Sequence, residues 1–508
     1  MRRIRWHICA VGLGLACALS GGSAGAQTWR FEPGVYVQET LTDNVNLVPS
    51  EFAKSDLVTE IAPFFRVTEK SAHTSLVGSV AIQGLLYART GEQNNRIYPL
   101  VNLLGNAELV DRFFYIEGAV VASQQFFNPF GAQPTNIANA TDNRYNATTY
   151  RVSPYLQGTA TGGVNYLLRN NSTWANLSGA PISTNNSYTS EWVGRLDSPG
   201  TPLGWTADVD LTTVKFNNQG SQITNLGRIG PRYAIDPQLL LRADVGYEDN
   251  HYPLSSYRGT IYGVGLQWRP TERTNVVANW EHRFFGTSYL FTFDHRTPLS
   301  VWGINASRNI TSYPQQLASL PAGNVQGLLN QLLLSRIPDV TQRQNAIDAL
   351  VQNQGLPANL VNPVNLYTQQ IVLAESVSAT MGLLGARNSI FFQLFYLHQQ
   401  PIAGSGTPLP PIFSVNSNDT TQQGASFIWT HNLTPSVTMD LTINGNKSNL
   451  NAPLTGHTNQ GSVRLAVTTP ISARTTVFAG ARYQVSRSDL ASDYNEAAIF
   501  AGLTYTFK

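Results

Sequence analysis

The chain has 508 residues, with 33 Lys and Arg against 31 Asp and Glu, and only 13% of its residues are charged, where soluble proteins carry about 25%. So even a balance offers no basic field for a phosphate backbone, and no nucleic-acid partner is expected. Mean hydropathy is −0.15, and past the N-terminus no apolar run reaches the roughly 18 residues that mark a membrane helix, which excludes a helical membrane protein.

Arg2, Arg3 and Arg5 precede an apolar run from Ile8 to Leu19, followed by Gly21, Gly22, Ser23 and Ala24-Gly25-Ala26. This pattern predicts a secretory signal peptide over 1–26, cleaved after Ala26, and leaves 27–508 as the mature domain. The apolar run is too short to span a bilayer, which takes about 20 residues. Both cysteines, Cys9 and Cys17, fall inside the signal, so the mature chain has no disulfide and no thiolate metal site. Gly14 stands three residues before Cys17, where a lipoprotein signal carries a large apolar residue.

From there on the chain alternates. Trp205, Ala207, Val209 and Leu211 oppose Thr206, Asp208, Asp210 and Thr212; Leu241, Ala243, Val245 and Tyr247 oppose Arg242, Asp244, Gly246 and Glu248. Val276, Ala278, Trp280 and Phe284 oppose Asn275, Asn279, Glu281 and Arg283, and Val437, Met439, Leu441 and Ile443 oppose Thr438, Asp440, Thr442 and Asn444. Successive side chains on a strand face opposite ways. One set is apolar and the other carries charges that would be costly in lipid, so the second must line a wet interior. Candidate lumen-lining residues are therefore Asp208, Asp210, Arg242, Asp244, Glu248, Glu281, Arg283 and Asp440. A soluble β-sandwich would also alternate, but with its apolar face inward and with shorter strands.

Short turns alternate with longer polar loops, as in barrels with short periplasmic turns and long outer loops. Short turns are expected at Glu69–His73, Asp111-Arg112, Asp236–Gln238, Arg269–Arg273, Gly385–Asn388, Leu433–Ser436 and Ile471–Thr475. Loops are expected at Thr90–Arg96, Asn128–Asn146, Asn170–Asn185, Asp249–Tyr257, Pro401–Thr420, Asn449–Asn459 and Asp489–Asn495. The fold class is all-β: a transmembrane antiparallel β-barrel of about 22 strands, in a range of roughly 18–22, with weak strands over Thr287–Asn309 setting the range.

One segment breaks the pattern. Residues 310–365 switch to helical period, with Val325, Leu328, Leu329, Leu332 and Leu333 on one face. Asp339 and Gln342 then read as a capping box for a second helix carrying Val340, Ile347, Leu350 and Val351, which Gly355 and Pro357 stop. Two placements are open for this insert: a helical hairpin on the rim, or a plug inside the lumen.

The chain ends on Ala497, Ile499, Ala501, Leu503, Tyr505 and Phe507 along one strand face. This resembles the closing strand of bacterial outer-membrane barrels, whose terminal aromatic is read by the assembly machinery; Tyr505 and Phe507 would carry that signal, although Lys508 follows where most such chains end on the aromatic. Catalytic patterns are missing. The mature histidines, His73, His251, His282, His295, His398, His431 and His457, are scattered singly, with no HExxH, no GxSxG elbow and no phosphate or dinucleotide loop. No enzyme activity, metal or cofactor is expected. A TonB-dependent receptor would place a globular plug before the first strand, whereas strand-like sequence here starts within a few residues of Ala26.

The chain also resembles the outer-membrane barrel family associated with the PEP-CTERM and exosortase sorting system of Gram-negative bacteria. The segments that carry the resemblance are Glu39-Thr40-Leu41-Thr42-Asp43-Asn44-Val45-Asn46-Leu47, Ser55-Asp56-Leu57-Val58-Thr59-Glu60-Ile61-Ala62-Pro63, Ala107-Glu108-Leu109-Val110-Asp111, Ser153-Pro154-Tyr155, Arg336-Ile337-Pro338-Asp339 and Gly385-Ala386-Arg387-Asn388. The resemblance implies a non-enzymatic role beside exopolysaccharide export, with outer-membrane lipid, the barrel assembly machinery, polysaccharide and export-system proteins as partners. It offers no catalytic residues. Thr42, Asp43 and Asn44 form its motif near the end of the first strand. A general porin-like channel is the alternative reading, and an outer-membrane hydrolase the third.

Overall fold

The structure is a computed structural model, and it describes residues 28–179, 186–199, 201–217, 220–318, 325–334, 337, 343, 347, 360, 362–403 and 418–507. The signal segment 1–26, Lys508, the Asp339–Gln342 capping box, and Val340, Leu350, Val351, Gly355 and Pro357 lie outside them, as does the side chain of Leu332.

A single antiparallel sheet of 22 strands closes on itself, each strand pairing with its neighbours in sequence and the first with the last. The strands are β1 (Thr28–Thr42), β2 (Asp56–Lys70), β3 (Thr74–Tyr87), β4 (Arg96–Val110), β5 (Phe114–Phe126), β6 (Arg144–Thr159), β7 (Asn165–Ser178) and β8 (Ser187–Ser198). Then come β9 (Leu203–Phe216), β10 (Gln222–Ala234), β11 (Leu239–Tyr252), β12 (Ser255–Thr271), β13 (Thr274–Arg283), β14 (Gly286–Arg296) and β15 (Ser300–Thr311). The rest are β16 (Ile371–Leu384), β17 (Asn388–Ala403), β18 (Thr420–Asn432), β19 (Thr438–Leu450), β20 (Gly456–Pro470), β21 (Thr475–Ser488) and β22 (Tyr494–Thr506). Closure pairs Thr40 with Phe500 and Leu41 with Ile499, leaving no strand edge.

The barrel is inside out. On β11, Val245 and Tyr247 are 61% and 53% exposed on the outer surface, while Asp244 and Glu248 are 5% and 0% exposed within. The same sorting puts Trp205, Val209 and Leu211 of β9, Trp280 of β13, Ile443 of β19 and Ile499 and Leu503 of β22 outside. An apolar exterior over a fully paired backbone is what hydrocarbon demands of strands that cross it. No helix among the described residues is long and apolar enough to cross.

The connections at one end are short, as at 71–73, 111–113 and 385–387, and those at the other are on the whole longer. Two expectations change here. The stretch Asp249–Tyr257 is not a loop: β11 and β12 continue as a ribbon to a two-residue turn at Pro253-Leu254. Its polar residues pair across the strands, with Arg258 donating to Asp249 at 2.8 Å, which lets polar sequence stay extended. Similarly β7 runs on to Ser178, into the segment expected to be loop from Asn170. The weak region Thr287–Asn309 is two full strands, β14 and β15.

Among the described residues, short helices sit in the connections at α1 (Gly91–Asn94), α2 (Tyr313–Ala318) and α3 (Val325–Leu333). Ser312 starts α2; its backbone N–H donates to Gln315 Oε1 at 2.9 Å, the reciprocal half of a capping box. Tyr313 of α2 packs with Tyr145, Tyr367 and Phe127 in one buried cluster, and its hydroxyl is hydrogen-bonded to that of Tyr145.

Candidate functional site: the barrel interior

The interior of the barrel carries the chemistry, and strand register decides which groups meet there. On the inner face of β12 stand Gly259, Ile261, Gly263 and Gly265. A Cβ on Gly263 would lie 2.8 Å from Glu281 Cγ and 3.2 Å from Asp244 Oδ2. This bare strip lets long side chains reach over β12. Arg283 of β13 therefore meets Glu248 of β11 at 2.7 Å, and Arg228 of β10 reaches Glu281 of β13.

The pairs join into a ladder along β8 to β13. Arg228 also lies 3.3 Å from Asp210, Arg242 lies 3.2 Å from both Asp208 and Asp244, Arg195 lies 3.8 Å from Asp208, and Arg232 pairs with Asp197. Arg232 and Arg242 stand directly opposite each other on β10 and β11. Like charges there would repel, but each guanidinium turns to its own carboxylate. A cavity of about 730 Å³ opens on this ladder, lined among the described residues by five carboxylates and four guanidiniums with hydroxyls and amides. Acid and base nearly cancel, so the cavity presents alternating charge and almost no net field.

The seam where β1 meets β22 holds a second network. Thr42 donates to Glu496 at 2.7 Å, and Arg482 reaches the same carboxylate at 2.8 Å, with the side chains of Arg482 and Glu496 3% and 0% exposed. Asn139, from the loop between β5 and β6, donates to Glu496 at 3.1 Å and accepts from Arg482 at 3.0 Å and from Gln484 at 3.1 Å. Asp43 accepts from the backbone N–H of Ala497 at 2.9 Å, and Asn44 donates to the carbonyl of Asn495 at 2.9 Å. The motif Thr42-Asp43-Asn44 thus ties three parts of the chain together at the seam, with Glu496 as the shared acceptor.

Two segments fold in from the long-loop end. The loop of residues 127–143 lays Phe130, Ala138 and Asn139 into buried positions and hydrogen-bonds to the far wall, with Gln460 donating to Gly131 O at 3.0 Å and Ala140 to Val45 O at 2.9 Å. The insert after β15 goes deeper. Val325, Leu328, Leu329 and Leu333 of α3, with Ile347 and Leu360, form one buried cluster with Val301, Phe391 and Ile428. Val301 is the second residue of β15, beside the short turn, whereas the insert leaves β15 at Thr311. Ten residues of strand separate those levels, roughly 30 Å. Phe391 and Ile428 pair with each other on β17 and β18. They form an apolar patch on the inner wall that packs against the leucine face of α3. Further up, Val364 N donates to Gln422 at 2.9 Å and Gln422 donates back to Val364 O at 2.9 Å.

Between these two segments lies a second, smaller cavity of about 260 Å³, lined by amides together with Phe126, Val364, Val485 and Tyr494 and, among the described residues, by no charged side chain.

Of the sequence-predicted residues, Asp208, Asp210, Arg242, Asp244, Glu248, Glu281 and Arg283 come together in the ladder. Asp440 stands apart on β19 and pairs with Arg464. Tyr505 and Phe507 make an edge-to-face pair with centroids 5.0 Å apart, and Phe507 N donates to Pro33 O at 2.7 Å. Sequence reasoning missed Arg195, Asp197, Arg228, Arg232, Arg482 and Glu496. Arg228 and Arg232 had a signal, because they alternate with the exposed Ile229 and Tyr233. Glu496 had less, standing just before the terminal alternation. Among the described residues no three His, Cys, Asp or Glu side chains are placed to hold a metal ion.

No protein-family model and no curated protein matches the chain. Similar solved structures include the outer membrane protein OpdK of Pseudomonas aeruginosa, 7% identical, TM-score 0.36, over 94% of this chain and 99% of that one. The FrpB iron transporter of Neisseria meningitidis is 9% identical with TM-score 0.48, over 94% and 81%. A mutant of the ferric enterobactin receptor PfeA of Pseudomonas aeruginosa is 10% identical with TM-score 0.43, over 94% and 80%.

Proposed function

We propose that this protein is a non-enzymatic outer-membrane barrel that serves the export or surface assembly of exopolysaccharide. The observation that carries the reading is the use of the bore. A 22-strand barrel is wide, in the range where such lumens are plugged rather than open, and here the chain's own segments enter it and leave a space between them lined by amides and apolar side chains and, among the described residues, by no charged one. Uncharged polyhydroxyl chains suit such a lining, because amides donate to and accept from hydroxyls. The family resemblance around Thr42-Asp43-Asn44 points the same way. Outer-membrane lipid against the apolar exterior, the assembly machinery at Tyr505 and Phe507, and export proteins at the two barrel ends are the partners in this reading.

A porin-like diffusion channel is the second reading. It is favoured by the 730 Å³ cavity on the charge ladder, whose balanced lining would let small polar solutes pass.

Deletion of the gene alone, followed by measurement of surface polysaccharide, tests the first reading. Loss of surface polysaccharide with normal growth is the expected result; unchanged polysaccharide with reduced uptake of small solutes would favour the second.

A further inference from the structure

We infer that the 260 Å³ cavity is a binding site for a short stretch of neutral saccharide, the segment of an uncharged glycan that lies in the bore. Its setting as an export step rests on the reading above, but the binding itself does not.

The amides come from separate parts of the chain: Gln124 from β5, Gln133 from the inward loop, Asn362 from the insert, and Asn446, Gln460 and Gln484 from β19, β20 and β21. Most of these amides also hold the fold, Gln460 to Gly131, Gln133 to Pro129 and Gln484 to Asn139 and Glu496, but Asn446 has no such duty among the described residues. Among the described residues no charged side chain lines this cavity, while nine line the larger cavity in the same lumen. A carboxylate or phosphate there meets no cation in that lining to offset its desolvation. It suits hydroxyls, each both donor and acceptor, as an amide side chain also is.

Asn446 makes no side-chain hydrogen bond among the described residues, and Gln460 and Gln124 each spend amide protons on loop or wall while offering carbonyl oxygens. The ring of Phe126 stands in the lining, with the Arg144 guanidinium 5.8 Å from its centroid, and is the aromatic surface available to a pyranose. The volume is at the lower end of ligand pockets, which run from about 300 Å³ upward, and suits one or two sugar rings rather than a whole chain.

Two tethers frame the site. Thr135 N and Oγ1 lie 3.2 Å and 3.3 Å from Gln484 Oε1 on one side, and Gln422 holds Val364 on the other.

Full-length protein in detergent is titrated with maltohexaose, cellohexaose and mannohexaose, and with hexagalacturonate as the charged counterpart, by calorimetry and by saturation-transfer NMR. At least one neutral hexamer should bind, and bind about tenfold or more tighter than the galacturonate. Asn446→Leu and Gln460→Leu should each weaken it by about tenfold, while Asn279→Ala, in the charged cavity, should not. Asn446→Leu removes no internal hydrogen bond, so its barrel should assemble as wild type, checked by heat-modifiable migration. Absence of neutral binding, equal or tighter binding of the galacturonate, or indifference to both variants overturns the site. Binding that holds while gene deletion leaves surface polysaccharide unchanged sinks the export reading and spares the site; the reverse pair of results sinks the site alone.

Discussion

Thr42 on the first strand donates its hydroxyl to Glu496 on the last at 2.7 Å, across 454 residues of chain. The same carboxylate takes Arg482 and Asn139, so one acidic side chain holds the seam of the barrel and the loop that covers it. Removing one member of a buried ion pair costs about 3–5 kcal/mol because the other charge stays buried and unpaired. Glu496→Ala should therefore lower the temperature at which the folded band on a gel converts to the unfolded one. The double variant Glu496→Gln, Arg482→Gln should recover much of that loss. An unchanged conversion temperature in Glu496→Ala would mean the seam does not depend on this network.

The terminal aromatic should matter for assembly. Phe507 is 49% exposed on the outer face and packs edge-on against Tyr505. Phe507→Ala should reduce the yield of assembled barrel far more than Lys508→Ala. Equal yields would show that the last strand is read some other way.

The insert is held by apolar contact, which can be loosened without touching the wall. Leu329 is 0% exposed against Val301, Phe391 and Ile428. Leu329→Ala should weaken that docking by about 2–5 kcal/mol. Barrel assembly should stay normal while brief channel openings become frequent in a planar bilayer. A quiet record from correctly assembled Leu329→Ala would place the gate elsewhere.

The charge ladder should set ion selectivity once the bore is open. Arg228 faces both Asp210 and Glu281, and its loss leaves two carboxylates without their cation. In a barrel lacking the insert, Arg228→Ala should shift the reversal potential in a salt gradient toward cations. No shift would mean that the ladder lies off the conduction path.

The outer and inner faces of β9, β11, β13 and β19 were legible in the sequence because charges such as Asp208, Glu248 and Asp440 leave only one side for lipid. Pairing along the wall over intervening strands was not. Arg228 meets Glu281 only because Gly263 and its neighbours leave β12 bare, and no local pattern announces that three-strand reach. The ribbon around Pro253-Leu254 misled for a related reason: Asp249, Asn250 and Arg258 look like loop residues until their cross-strand partners are known. The amide cavity was invisible, since Gln124, Gln133, Asn362 and Gln460 are ordinary polar residues until loop and insert fold inward.

The chain itself occupies its bore, and conductance of the purified protein in a planar bilayer reads this out, with and without residues 314–357, the ends of the deletion joined by a short Gly/Ser linker. The full-length barrel should be nearly silent, and the shortened one should assemble and conduct in large, stable steps. Equal conductance from two correctly assembled barrels would show that the insert does not fill the bore.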